Sequence, residues 1–253
     1  MKKPIIFTAL GTVAAAVTAL CVAGYQESML SSLPARLPKG FTVTAHTGCE
    51  KTADNSLESI TAGAEAGADI VEIDLHFAAD GTPVLCHDRP ASADGHPTFD
   101  SALEVLSGLD VKMNIDVKAT DNLAEAYALI NKHGVGEKVF FTGIEEEKVP
   151  AAKSEAPGIP YYLNIKVNKS KNTDLDYLSD LASRVRLNGA IGINISFGEC
   201  SPELVRYFRS EGLLVSLWTA NKLKDMKHCI ELCPDNITTR KPDMLNKLLK
   251  RGK

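Results

Sequence analysis

Neither sign of charge dominates this sequence. Lys and Arg total 28 against 32 Asp and Glu, a net charge of −4 over 253 residues, which gives no reason to expect nucleic acid as a partner. Cysteine is scarce in the arrangements that would make it chemical. Of the six, Cys229 and Cys233 lie four apart on a predicted helix, and Cys49 and Cys86 flank two histidines, yet neither pair has a second pair at metal spacing. A chain this long does not depend on disulfides for its core. The cysteines therefore read as packed or free thiols, with a Cys49–Cys86 bridge as the alternative, and none is a candidate nucleophile.

Long apolar runs are also missing, with one exception at the N-terminus. Lys2 and Lys3 precede an uncharged apolar run over residues 5–23. At 1.5 Å rise per residue such a run covers roughly the 30 Å hydrocarbon core of a bilayer. The expectation is a membrane anchor or signal segment over residues 1–24. It reads as an uncleaved single-pass helix with its basic end in the cytoplasm and the remaining chain outside, in the cell membrane; secretion after cleavage is the alternative. Residues 25–40, with their prolines, read as a tether. Residues 41–253 are then one domain, of the length that a large α/β domain needs.

Within that domain, strand-like and helix-like segments alternate. Strands are predicted over residues 41–46, 68–75, 111–118, 138–142, 160–165, 190–196, 213–218 and 235–239. Helices are predicted over 55–66, 98–109, 122–133, 145–154, 174–188, 201–211, 221–232 and 242–249. Ser201 and Pro202 supply the cap and first turn of one of these helices. Eight strands, most followed by a helix, predict a (β/α)8 TIM barrel, with an open doubly wound sheet as the alternative. Polar residues at strand ends favour the barrel: His46, Asp74, Asp116, Asn164, Asn194 and Trp218 would share its C-terminal face.

Residues 44–88 carry the densest chemistry. Glu72 and Asp74 alternate on one strand, so both point to the same side while Val71 and Ile73 point to the other. Two carboxylates on one strand face invite a cation. Asp80 and Gly81 read as a two-residue hairpin turn, and the pairing this implies sets His87 opposite Asp74.

Four parts of this stretch, AHTG at 45–48, ADNS at 53–56, EID at 72–74 and VLCHD at 84–88, resemble the glycerophosphodiester phosphodiesterase family. Its motifs there are AHRG, PENT, E-x-D and V-x-x-HD, in the same order and at ordinary spacing. The resemblance implies a TIM barrel and phosphodiester chemistry. It extends thinly through the middle of the chain and more clearly to LWTAN at 217–221, similar to the family's WT-x-N strand.

On that resemblance Asp116, in VKMNIDVK, stands for the acid of the family's E-x-K strand, and Lys118 for the lysine that faces phosphate. Glu72, Asp74 and Asp116 are hard oxygen ligands suited to one divalent cation, Ca²⁺ or Mg²⁺. Imidazole is the side chain suited to proton transfer near neutral pH, so His46 and His87 are expected to share the roles of general acid and base. Asp54, in the place of the PENT glutamate, would serve the metal directly or support one of its ligands from behind, and Trp218 would wall the pocket. His76, His96, His133 and His228 lack such company and are expected to be structural or exposed.

The departures from the family pattern are equally specific. Thr47 replaces the arginine after the first histidine, and Arg240 replaces an aspartate late in the chain. Arg240 is expected either to reach over Thr47 and bind substrate phosphate or to lie solvated beside Lys241. Only twenty-two residues separate Asp88 from Val111, too few for the small insertion domain that many relatives carry. The expected partner is a small-molecule or lipid-derived, glycerol-containing phosphodiester, hydrolysed to sn-glycerol 3-phosphate and an alcohol. Alternatives are a phospholipase-type reaction that forms a cyclic phosphate, and a non-catalytic barrel that binds a phosphate-rich envelope polymer.

Overall fold

The structure, a computed structural model, describes residues 37–251. The apolar run and the tether up to residue 36 lie outside them, so the predicted anchor falls on residues that are not described. Among the described residues no helix is long and apolar enough to cross a membrane.

The first strand, β1 (Thr42–Ala45), leads into helix α1 (Leu57–Glu65), and β2 (Ile70–Phe77) turns back through the short β3 (Pro83–Leu85). Helix α2 (Phe99–Ser107), β4 (Lys112–Val117), α3 (Leu123–His133) and β5 (Val139–Ile144) follow. Next come α4 (Val149–Glu155), β6 (Tyr161–Leu163), α5 (Leu175–Asn188) and β7 (Gly192–Ser196). The last elements are α6 (Pro202–Ser210), β8 (Leu214–Trp218), α7 (Leu223–Leu232), β9 (Asn236–Thr239) and α8 (Pro242–Leu248). Every strand but β3 runs parallel to its neighbours, and β1 pairs with both β9 and β2, so the sheet closes on itself. This is the eight-stranded barrel and not the open sheet.

The alternation read from the sequence explains the two layers. On β2, Val71, Ile73 and Leu75 are buried on the opposite side of the strand from Glu72 and Asp74, and α1 packs against that strand. Phe99, Leu103 and Leu106 line one face of α2 at helical spacing and are fully buried. Ser56, Thr98 and Ser201 accept from the amides of Ser59, Ser101 and Leu204, which caps the helices that follow them.

Part of the barrel interior is polar where branched aliphatic side chains are usual. Thr42 and Thr44 donate to Asn236 Oδ1 at 3.0 and 2.8 Å, Asn236 Nδ2 donates to Ser216 Oγ at 3.0 Å, and Thr142 donates to Asn114 Oδ1 at 2.9 Å. Because these groups satisfy one another, burying them costs little.

The hairpin register differs from the expectation. Leu75 pairs with Leu85, His76 with Val84 and Phe77 with Pro83. Gly81 N–H donates to Ala78 O, Ala78 N–H donates to Thr82 O, and Gly81 has φ +87°. The turn is therefore a three-residue loop, residues 79–81, ending in a left-handed glycine. That extra residue moves the register by one. Cys86, not His87, stands opposite Asp74 and donates its N–H to the Asp74 carbonyl at 3.2 Å.

Cys49, Cys86, Cys200 and Cys229 are buried thiols in no disulfide, so the Cys49–Cys86 bridge does not form. Burial pushes Cys200 and Cys229 up to about 12, which keeps them protonated and inert.

Candidate active site

The C-terminal mouth of the barrel opens into a cavity of about 650 Å³ lined by His46, Glu72, Asp74, His87, Asp116, Lys118, Trp218 and Arg240, among others. The register explains the convergence of the acids: Asp74 on β2 pairs with Asp116 on β4. Glu72, Asp74 and Asp116 each offer a carboxylate oxygen within 4.8 Å of the others.

Three carboxylates this close raise one another's cost of ionisation. Burial first, then the charges of Asp74 and Asp116, hold the Glu72 carboxyl well above the usual range. Lys118 answers part of that charge, with Nζ 2.8 Å from Asp74 Oδ1 and 2.5 Å from Asp116 Oδ2. Burial pulls its pKa down, but the carboxylates of Asp116 and Asp74 outweigh that and raise it above the ordinary lysine value. One ammonium against three carboxylates leaves negative charge over, and an all-oxygen donor set fits a divalent cation. The residues present fit such an ion.

His46 lies at the end of β1, with a side chain 24% exposed. Burial lowers its pKa, opposed by a backbone contact to Thr47 and reinforced by Arg240. Its Nδ1 is 2.9 Å from the Thr47 carbonyl oxygen and 3.3 Å from Arg240 Nε. Nδ1 donates to the first only when protonated and accepts from the second only when bare, so the tautomer selects one contact. His87 is 71% exposed at the end of the hairpin arm, where Nδ1 lies 2.8 Å from Asp88 Oδ1. That carboxylate selects the Nδ1–H form and leaves Nε2 as the nitrogen that exchanges protons.

Asp54 does not stand behind the acids. Its Oδ1 is 3.0 Å from Arg240 Nη2, and both side chains are substantially exposed. The residue that supports Asp74 is the neighbouring Asn55, which donates from Nδ2 to Asp74 Oδ2 at 2.8 Å and accepts from Asp74 N–H at 2.9 Å. A search of the sequence for ligating acids passes over an amide. The available signal was that Asn tolerates the left-handed backbone Asn55 adopts, with φ +56°.

Arg240, from the end of β9, reaches the first strand as the closed barrel allows, though its present partners are His46 and Asp54. Trp218 lines the mouth at 40% exposure and is not part of the core. Among the other histidines, His76 is buried and accepts from Phe77 N–H at 2.8 Å, and His133 pairs with Asp100 at 2.7 Å. His228 packs edge-on against Phe197.

Comparison with known proteins gives a consistent picture. The model of the glycerophosphoryl diester phosphodiesterase family matches residues 45–125 and 93–244. A glycerophosphodiester phosphodiesterase from Caldanaerobacter subterraneus subsp. tengcongensis is 24% identical over 246 residues, covering 83% of this chain and 98% of the relative. Among solved structures, a glycerophosphodiester phosphodiesterase from Agrobacterium tumefaciens str. C58 superposes with a TM-score of 0.66 at 20% identity, covering 82% of this chain and 99% of that one. An Oleispira antarctica phosphodiesterase in complex with the product sn-glycerol-3-phosphate gives 0.66 at 18% identity, with coverage of 88% and 99%. These structures share the fold, and the family model spans most of the chain. The chain belongs to the glycerophosphoryl diester phosphodiesterase family and is a phosphodiesterase.

Proposed function

We propose that this protein hydrolyses a glycerophosphodiester to sn-glycerol 3-phosphate and an alcohol, with a divalent cation and a pair of histidines. The observation that carries this reading is the convergence of Glu72, Asp74, Asp116, His46 and His87 on one mouth of the barrel. Glu72, Asp74 and Asp116 would hold the ion, Ca²⁺ or Mg²⁺, which supplies charge stabilisation to the nonbridging phosphate oxygens.

The chain's own groups do the rest. His46, whose burial favours the neutral form, takes a proton through Nε2 while Nδ1 donates to the Thr47 carbonyl. His87, steadied by Asp88, gives a proton to the departing alkoxide. Lys118 sits between Asp74 and Asp116, close enough to share its ammonium with a bound phosphate. Arg240 adds a second cation when phosphate displaces Asp54 from its guanidinium. Trp218 forms a wall of the mouth against the substrate.

Lys2, Lys3 and the apolar run to Ala23 support an anchored enzyme whose catalytic domain acts outside the cytoplasm. The substrate is then a water-soluble or lipid-derived diester. A panel of glycerophosphodiesters with metal titration and product analysis tests the reaction. Release of sn-glycerol 3-phosphate that depends on added Ca²⁺ or Mg²⁺ is expected. Accumulation of a cyclic phosphate would instead assign the attack to the substrate's own hydroxyl.

A further inference from the structure

Glu72 and Asp74 are like charges on one strand face, and left to themselves they would splay apart. The loop between β1 and α1 opposes this. Thr47 N–H donates to Glu72 Oε2 at 2.8 Å, and the Thr47 hydroxyl oxygen accepts from Asn55 N–H at 2.5 Å. Asn55 in turn brackets Asp74 with a donor to its carboxylate at 2.8 Å and an acceptor for its backbone amide at 2.9 Å. One connected path thus runs Glu72, Thr47, Asn55, Asp74. Both loop residues are buried, Thr47 at 1% and Asn55 at 6% exposure.

We propose that Thr47 and Asn55 are positioning residues that hold Glu72 and Asp74 at the separation a divalent cation requires. The proposal rests on the metal reading given above. It changes the meaning of Thr47. The threonine is not a shortened phosphate ligand, since its hydroxyl is bonded to a buried amide. Phosphate grip passes to Arg240, while position 47 organises the acids. An arginine at position 47 would lose the hydroxyl that accepts from Asn55 N–H, so Thr47→Arg should weaken metal binding.

The backbone supports the same assignment. Asn55 keeps φ +56°, which costs a non-glycine residue free energy unless its surroundings hold it. Its side-chain amide and its own N–H make three hydrogen bonds to the two partners named. The loop folds closely enough that a Cβ on Gly48 would lie 1.9 Å from Asp54 Oδ1.

The test is titration calorimetry of Mg²⁺ and of Ca²⁺ with the full chain and its Thr47→Val, Thr47→Ser and Asn55→Gly variants, alongside thermal unfolding without metal. Groups that orient metal ligands typically account for about 10- to 100-fold in affinity. Thr47→Val and Asn55→Gly should lose that much, while Thr47→Ser, which keeps the hydroxyl, should stay within about threefold of the parent. Glycine at position 55 accepts the positive φ, so Asn55→Gly reads the side-chain amide even if Thr47→Val fails to fold. A folded Thr47→Val protein with parental affinity, or a Thr47→Ser protein as weak as Thr47→Val, would overturn the assignment. No binding to the parent chain would overturn the metal reading itself, and this one with it.

Discussion

The two sides of the barrel mouth are built differently. On the inner side, at the ends of β2 and β4, the acids are tied by named hydrogen bonds, and Glu72 and Asp74 have side chains only 5% exposed. On the outer side, toward solvent, His87 is 71% exposed on a hairpin arm, and Arg240 and Asp54, each at least 40% exposed, hold one another. The inner side can fix a cation, because its charges cannot relax away from one another. The outer side can change partners, because water already solvates it and exposed ion pairs contribute little. A phosphodiesterase needs both: a fixed charge where phosphate binds and adaptable groups where substrates differ.

The largest effects should come from His46 and His87, the proposed proton-transfer pair. His46→Ala and His87→Ala should each lower turnover by about 10² to 10⁴, with the double variant losing far less than the product of the two. His87 is the sharper test, since an exposed side chain that mattered only for the surface would leave turnover unchanged.

Arg240→Ala comes next. Losing a charged hydrogen bond costs about 1.5–3 kcal/mol, so steady-state kinetics should show KM raised about 10- to 100-fold with kcat less affected. Unchanged kinetics would leave the outer side without a phosphate ligand.

Gly143→Ala separates packing from chemistry. Gly143 has φ +70°, and a Cβ there would lie 2.6 Å from Asp116 Oδ1 and 2.7 Å from Val117 O. The backbone strain should cost about 1–3 kcal/mol of stability in denaturant unfolding, and displacement of Asp116 should weaken metal binding. A stable variant with normal affinity would show that Asp116 has room to move.

The pH profile follows from His46. Its pKa is lowered, so the basic form persists to more acidic pH than for a free imidazole. The acid limb of kcat/KM should therefore have its midpoint below 6.5, and activity should fall as pH drops through it. A midpoint above 6.5 would remove His46 as the base. The smallest effect is expected far from the mouth. Arg184 donates to both Glu146 carboxylate oxygens, at 3.0 and 2.8 Å, yet Glu146→Ala should cost under about 1 kcal/mol by thermal unfolding.

Most of the inner side was legible in the sequence because strand alternation is local. Once β2 is a strand, Glu72 and Asp74 must share a face, and the parallel register then brings Asp116 beside them. The eight strands and eight helices were legible for the same reason. What was hidden depended on single backbone torsions. Gly81 at φ +87° lengthens the hairpin loop and shifts its register, and Asn55 at φ +56° turns an amide rather than the Asp54 carboxylate toward Asp74. Arg240 could be placed near the first strand from barrel closure, but its pairing with Asp54 depends on two long side chains that spacing does not constrain.

The central proposal is that the three converging carboxylates, Glu72, Asp74 and Asp116, make this barrel a metal-dependent phosphodiesterase. The most direct measurement is sn-glycerol 3-phosphate release from a glycerophosphodiester after chelation and stepwise return of Mg²⁺ or Ca²⁺, in the parent chain and in Asp74→Asn. Activity should vanish on chelation, return with the ion in the parent, and stay at least a hundredfold lower in Asp74→Asn at saturating ion. Full activity in chelator, or an Asp74→Asn enzyme that recovers like the parent, would contradict it.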